Sequence, residues 1–470
     1  MTESGFNDYN PWGSGNGING TLWSNEALYD SLTRLDADGN VEPAVATSWK
    51  QSADGKTTTL KLRSGISFDD GTALDATAVK KNLDYGIAHP EGAECNAYLA
   101  GATTKVNSAT SITITTPEPV PGLLQDFAQC AGFMVNPKSL GSKSLTTSSD
   151  GSGPYTIDKS QTVSGTKWTY VKRDDYWDSK AFPYQKIVFT VFNDSTAADN
   201  AAKSGQVDLI QRVDAKDDSS GFTLGSSDPD TYVGLYISDA DGKIVPALGN
   251  TKVRQAMNYA IDRDAIKKAF YGDFADVIGS TPFSKSYTGY SSSLDDYYTY
   301  DVDKAKQLLK QAGYADGFTV KVLVDPTHQK LVQAIAGYLE AVGIKLDLSV
   351  HSTDFITQML SGKWAMVSGN YTLNPAQYQT LTGILGPNGF WNPQHVKNPK
   401  FTSLLNKIVK TTDESQLTKL YGQLATTAAS EAWTINPMLA YSPVAYDSDK
   451  LSVGLTSGVP VPMIYNITPK

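Results

Sequence analysis

Residues Thr319 to Val350 read TVKVLVDPTHQKLVQAIAGYLEAVGIKLDLSV, and the order of periodicities within them decides the architecture of half the chain. Thr319–Val324 is a short apolar, β-branched run that predicts a strand. Lys330–Val342 carries helical periodicity, Gly343 is a stop signal, and Ile344–Val350 returns to strand character. Strand, helix and strand in that order form a βαβ crossover, whose two strands run parallel.

Outward from this unit the pattern stays mixed. Lys252–Ile261 places Val253, Ala256, Met257, Ala260 and Ile261 on one helical face, and Asp262 can cap a second helix. Asp301–Ala312 is a third helix, with Leu308 and Leu309 inward and Gly313 just past its end. Before about residue 250 the character differs. Thr58–Phe68 and Ser111–Thr116 alternate apolar and polar residues as strands do, and Gly153–Trp177 reads as a hairpin. Asp75–Tyr85 is the clearest early helix, with Asp75 as N-cap and Val79 and Leu83 on one face. A β-rich first half is therefore followed by an α/β second half.

The 470 residues exceed what one core organises, so two or three domains are expected. A formal charge of −9 with no Lys/Arg cluster argues against nucleic acid as a partner. No window of 18 uninterrupted apolar residues is present to span a membrane, and Met1 opens on a polar segment. An export signal or lipid-anchored N-terminus is expected to precede it. Cys95 and Cys130 are the only cysteines, and one disulfide or two buried thiols both fit.

Sequence motifs for catalysis fail on inspection. Gly15–Gly20, GNGING, matches G-x-G-x-x-G, but the lead-in DYNPWGS contains Pro11 where a dinucleotide site needs an apolar strand. Gly55-Lys56-Thr57 ends like a phosphate loop, yet Lys50 stands where its first glycine belongs. The four histidines, His89, His328, His351 and His395, are isolated, and neither zinc spacing nor a G-x-S-x-G elbow occurs. No enzyme activity, cofactor or metal is expected.

Six segments, in order, carry a resemblance: NEALYDSLTRLDADGNVEPAVATSW (Asn25–Trp49), DGKTTTLKLRSGISFDDGTALDATAVKKNLD (Asp54–Asp84), GSGPYTI (Gly151–Ile157), RDDYWDS (Arg173–Ser179), NTKVRQAMNYAIDRDAI (Asn250–Ile266) and DVDKAKQLLKQAGY (Asp301–Tyr314). Together the chain resembles the oligopeptide- and dipeptide-binding family, the large family 5 of extracytoplasmic solute-binding proteins of ABC importers. The resemblance implies an α/β fold, a bilobed clamshell of the periplasmic-binding-protein type II kind with an extra β-rich subdomain inserted in lobe one. The implied segments are 1–33, 34–150 (the insertion) and 151–235 in lobe one, 236–440 in lobe two, and 441–470 back in lobe one. It also implies hinge closure on a small-molecule solute, an ABC permease as partner, a monomer, an extracytoplasmic location and membrane contact only through a lipid anchor.

In that family the loop before the LYDSL-type helix lines the ligand cleft, which makes Asn16 and Asn19, with the neighbouring Trp12 and Trp23, ligand-binding candidates. Peptide-binding members hold the ligand's α-amine with the aspartate of a G-G-W-T-A-D-Y-P-D-P-like segment. The counterpart here is GNYTLNP, Gly369–Pro375, which puts Tyr371 on the tryptophan and Asn374, or else Asn370, on the aspartate. No Asp or Glu occurs between Asp354 and Asp413. The region offers aromatic and amide groups instead, of which Trp391 and Asn392 in the loop GPNGFWNP complete the candidate set. Flat rings pack against sugar C–H faces, and amides exchange hydrogen bonds with hydroxyls. The leading expectation is thus a receptor for a neutral oligosaccharide of manno or cello type, the alternative an oligopeptide. Truncating Trp391 is expected to weaken binding and leave stability unchanged.

Overall fold

The structure, a computed structural model, describes residues 9–13, 22–89, 94–129, 131–192, 194–212, 216, 218–352, 354–373 and 376–470, except the side chains of residues 94, 95, 97, 436 and 437. Asn16, Asn19, Asn374, Cys130 and the side chain of Cys95 lie outside the described residues. The chain divides into two compact units, one made of residues 1–227 and 442–470, the other of 228–441.

Unit 1 opens with a helix, α1 (Leu22–Leu28), and its described residues form five small antiparallel sheets. Strands Ala46–Gln51, Thr57–Leu62, Ser111–Thr115 and Thr103–Ser108 form the first of these, in that spatial order. Helix α2 (Ala76–Ala88) belongs to this part of the unit, started by Asp75, whose carboxylate accepts from the backbone N–H groups of Thr77 and Ala78. The sheet region has no core of its own: Leu60, Val79, Leu83 and Ile112 share one apolar cluster with Trp23, Tyr170 and Phe189. Strand Val444–Tyr446 completes another sheet, lying between Leu209–Gln211 and Thr223–Gly225.

Unit 2 is organised by the βαβ crossover. Strands in chain order are β1 (Thr231–Ile237), β2 (Ala275–Val277), β3 (Phe318–Val324), β4 (Ile344–Val350), β5 (Met366–Thr372) and β6 (Thr434–Ala440). They make one sheet in the order β2-β6-β1-β5-β3-β4. The predicted parallel pair is present, in register from Phe318 opposite Ile344 to Val324 opposite Val350. Its crossover helix, α3, spans Gln329–Glu340, and Gly343 takes the left-handed φ of 88° that the turn into β4 requires. The boundary expected after residue 235 falls inside β1, because all seven residues of that strand pair with β5 in the middle of this sheet.

The NTKVRQAMNYAIDR motif acquires a physical reason here. Its helix, Thr251–Tyr259, buries polar residues as well as apolar ones, and several of their donors are spent on backbone carbonyls. Arg254 donates to the carbonyls of Leu248 (2.7 Å) and Glu431 (2.9 Å). Asn258 donates to the Thr434 carbonyl at 3.0 Å, and Arg263 donates to the Asn258 carbonyl at 2.9 Å. The motif thereby locks helices onto β6.

A pair of facing glycines shapes the centre of the same sheet. Gly234 of β1 lies opposite Gly369 of β5, and the indole of Trp391 fills the space over Gly369. A Cβ on Gly369 would come within 2.1 Å of that ring. Trp391 stacks on Tyr236 with centroids 4.1 Å apart at 15°, meets Tyr371 edge-on at 6.3 Å, and is 7% exposed within the unit 2 core. Trp391 therefore packs the fold, contrary to the expectation of a stability-neutral binding ring. Trp391→Ala is expected to cost about 3–5 kcal/mol, read as a lower denaturant midpoint of the ligand-free protein; an unchanged midpoint would refute the packing role.

In unit 1, Glu26 on α1 is buried and accepts the Ile464 N–H at 2.9 Å. Burial raises its pKa from 4.5 to about 8, opposed by the Ile464 N–H and by the charge of Arg34. Because the folded state keeps a proton that the unfolded chain releases, this contribution to stability is full below about pH 4.5 and is lost as pH rises to about 8. Glu26→Gln, which keeps an acceptor for Ile464, should shrink the fall in melting temperature between pH 5 and 8.5. Parallel pH slopes for the two proteins would count against a neutral Glu26.

Candidate functional site

An open α/β sheet offers a ligand site at the carboxyl ends of its parallel strands, where successive connections depart to opposite sides. Unit 2 has one such point. The chain leaves β3 for β4 on one side, then returns through α4 (Phe355–Leu360) to β5 on the other side of β3. The strands differ in reach: β5 pairs with β3 only at Val322–Met366 and Leu323–Val367, whereas it pairs with β1 along all seven residues. By this register Val324, the last residue of β3, is level with Ser368, and no strand pairing joins β5 to β3 beyond Val367.

Three segments meet at this place. After β3 comes Asp325-Pro326-Thr327-His328, in which the Asp325 carboxylate caps the Thr327 N–H at 2.9 Å and the Asp325 N–H donates to Ser368 Oγ at 2.9 Å. Burial holds the His328 imidazole below its usual pKa, so it is neutral at pH 7, and its Nδ1 has no hydrogen-bond partner among the described residues. After β4, His351 pairs with Asp354 at 3.1 Å, which lowers the Asp354 pKa. On β5, Ser368 and Asn370 share one face, and Gly369 and Tyr371 share the other. Asn370 is exposed, and its carboxamide makes no side-chain hydrogen bond to another described residue. Tyr371 is half-buried opposite Tyr232, with its hydroxyl over Gly383 in helix α5 (Gln377–Leu385).

The sequence candidates thus separate into three groups. Asn370 and Tyr371 lie at the strand end, and Asn16, Asn19 and Asn374 fall outside the described residues. Trp12, Trp23, Trp391 and Asn392 are buried and serve packing instead. The Trp12 indole donates to Asn82 Oδ1 at 3.1 Å and lies against Gly86 of α2, where an added Cβ would approach within 2.4 Å. That of Trp23 donates to the Pro462 carbonyl at 2.7 Å and stacks on Phe189. Asn392 holds its own loop closed, donating to Gly386 and Val396 carbonyls at 2.9 and 2.8 Å and accepting the Val396 N–H at 2.9 Å. An aromatic in a Gly/Pro loop looked surface-exposed in sequence; the glycine hole across the sheet, invisible until strands are paired, drew it inside.

Thr327, His328 and Ser368 were not among the expected site residues. The signal that finds them is positional: D-P-T-H follows the first strand of the crossover directly, where the topology puts a ligand. Among the described residues no three His, Cys, Asp or Glu side chains gather as a metal-binding group, and no helix is long and apolar enough to cross a membrane.

The sequence profile of the bacterial extracellular solute-binding proteins, family 5 middle region, matches residues 40–392. The glutathione-binding protein GsiB of Salmonella paratyphi A is 27% identical over 423 residues, covering 84% of this chain and 80% of that protein. Among solved structures, the periplasmic binding protein DppA of Helicobacter pylori, in complex with the peptide STSA, superimposes with a TM-score of 0.79 at 21% identity, covering 94% and 92% of the two chains. AgaA from A. tumefaciens R10, in complex with agropinic acid, gives 0.81 at 23% identity, covering 96% and 94%. These structures share the bilobed fold of their class. With three quarters of its length under the family profile, the chain belongs to the extracellular solute-binding proteins of family 5, receptors that hand a solute to an ABC importer and perform no chemistry on it.

Proposed function

We propose that the solute is a peptide or a small peptide-like amide, held through its backbone. The observation that carries this is the end of β5 at Gly369 and Asn370, which pairs with β1 but with no strand on its β3 side. Such an edge accepts an extended chain by adding one more strand, with main-chain hydrogen bonds supplying affinity whatever the side chains are. Neighbouring hydroxyl and amide groups of Thr327 and Asn370, both exposed, suit the same kind of ligand. Similarity to a glutathione-binding protein, and to a binding protein solved with a tetrapeptide, supports the reading.

The oligosaccharide expectation loses its main support. It required exposed rings to lie against sugar faces, and Trp12, Trp23 and Trp391 are each buried in the core of their own unit. The permease of an ABC importer is the partner that would receive the peptide.

Thermal melts against short peptides, reduced glutathione and cello-oligosaccharides test the proposal. A peptide or glutathione at 100 times its Kd should stabilise the protein by about 2.7 kcal/mol, and a shift with oligosaccharides alone would overturn it. If backbone pairing supplies the affinity, N-methylating successive peptide nitrogens of a bound ligand should cost roughly tenfold or more at one or two positions. Uniform tolerance of N-methylation would remove the strand-addition mode.

A further inference from the structure

We propose that the four-stranded sheet of unit 1 is a docking surface, on its face away from α2, for an anionic polymer bearing phosphates and hydroxyls together, a polyol phosphate. Strand pairing decides which residues share a face. One face carries Leu60, Ile112 and Ile114 into the core. Helix α2 lies on that side, where the Lys80 ammonium donates to Thr104 Oγ1 at 2.9 Å, Thr104 being the cross-strand partner of Ile114. The opposite face is a polar ladder. Lys50, Thr59, Thr113 and Lys105 stand in one row across all four strands, and Thr57, Thr115 and Thr103 form the next. Lys61 lies two residues along from Thr59 on the same side.

The charge of this face has one sign. In a chain of net charge −9, none of the four strands contains Asp or Glu, and Lys50, Lys61 and Lys105 are exposed. The lysines paired in this region are Lys56, with Glu118 at 3.1 Å, and Lys80, with Asp84 at 2.6 Å; the three on the face have no ion pair among the described residues. They are distant in sequence, and register alone assembles them, with Lys50 and Lys105 roughly 14 Å apart across three strand intervals. Between them the hydroxyls are ordered: those of Thr59 and Thr113 are bonded at 3.1 Å, and the Asn107 amide donates to Thr113 Oγ1 at 2.8 Å. A hydroxyl both donates and accepts, which suits a ligand carrying hydroxyls of its own. The strands supply Lys and no Arg, and the ammonium is a point charge suited to phosphate, where planar carboxylates favour the guanidinium fork. A surface that enters lipid places apolar side chains beside its charges, and this face has none.

The test measures binding of the full chain to immobilised poly(glycerol phosphate), with inorganic polyphosphate and vesicles of phosphatidylcholine and phosphatidylglycerol as comparison probes. The protein should bind the polymer with an affinity that falls as salt rises. Lys50→Gln combined with Lys61→Gln and Lys105→Gln should weaken that binding at least tenfold at an unchanged melting temperature, since all three side chains are exposed. An equal loss of charge in unit 2, Lys306→Gln with Lys330→Gln and Lys345→Gln, should leave it unchanged. Thr59→Val with Thr113→Val should weaken binding to the polymer and leave binding to polyphosphate as it was. No binding by the wild-type chain, or the same loss from both lysine triples, overturns the docking surface. Binding to vesicles but not to the polymer overturns the polymer in favour of a membrane. Unaltered polymer binding by the threonine pair removes the hydroxyls from the recognition.

Discussion

Much of unit 2 follows from a mismatch in length between neighbouring strands. β5 is paired along its whole length with β1 but along only two residues with β3, so its later residues take no strand pairing from the parallel half of the sheet. Holding a half-paired strand straight demands support from its other side and from one face. β1 supplies the first through seven consecutive partners, and Trp391, seated over Gly369 and stacked on Tyr236, supplies the second. The part-paired end of β5 and the aromatic cluster around Trp391 are thus adjacent for a mechanical reason. A ring buried in the core can in this way decide how rigid the strand beside it is.

Local periodicity made most of this architecture legible. The crossover from Thr319 to Val350, the capped helices beginning after Asn250, Asp262 and Asp301, and the Asp75 cap of α2 all follow from signals contained within a dozen residues. The domain edge after residue 235 was misplaced because nothing in TYVGLYI distinguishes the last strand of one unit from the first of the next. Only its pairing with β5 does so.

The site was harder to read than the fold. Asn370 was reachable because the family's motif and the missing acids both point to it, whereas Trp12, Trp23 and Asn392 were misread because the groups that occupy them are distant in sequence. Trp12 meets Asn82, and Trp23 meets the carbonyl of Pro462. Large polar-edged residues in Gly-rich neighbourhoods carry no local mark of whether a remote partner will absorb them. His328 was legible only through topology, since an isolated histidine becomes notable once it stands at the carboxyl end of a parallel strand.

The discontinuity of unit 1 has a consequence for how the chain comes to be folded. Unit 2 is a single stretch from Asp228 to Tyr441, complete once that stretch exists. Unit 1 is not: Val444–Tyr446 is the middle strand of one of its sheets, Ile464 satisfies Glu26, and Pro462 receives the Trp23 indole. A chain delivered from its N-terminus must therefore carry α1 with an unsatisfied acid and an unmatched indole donor until its last thirty or so residues arrive. The first unit begun is the last one finished, and the late-arriving C-terminal segment acts as the clasp that completes it.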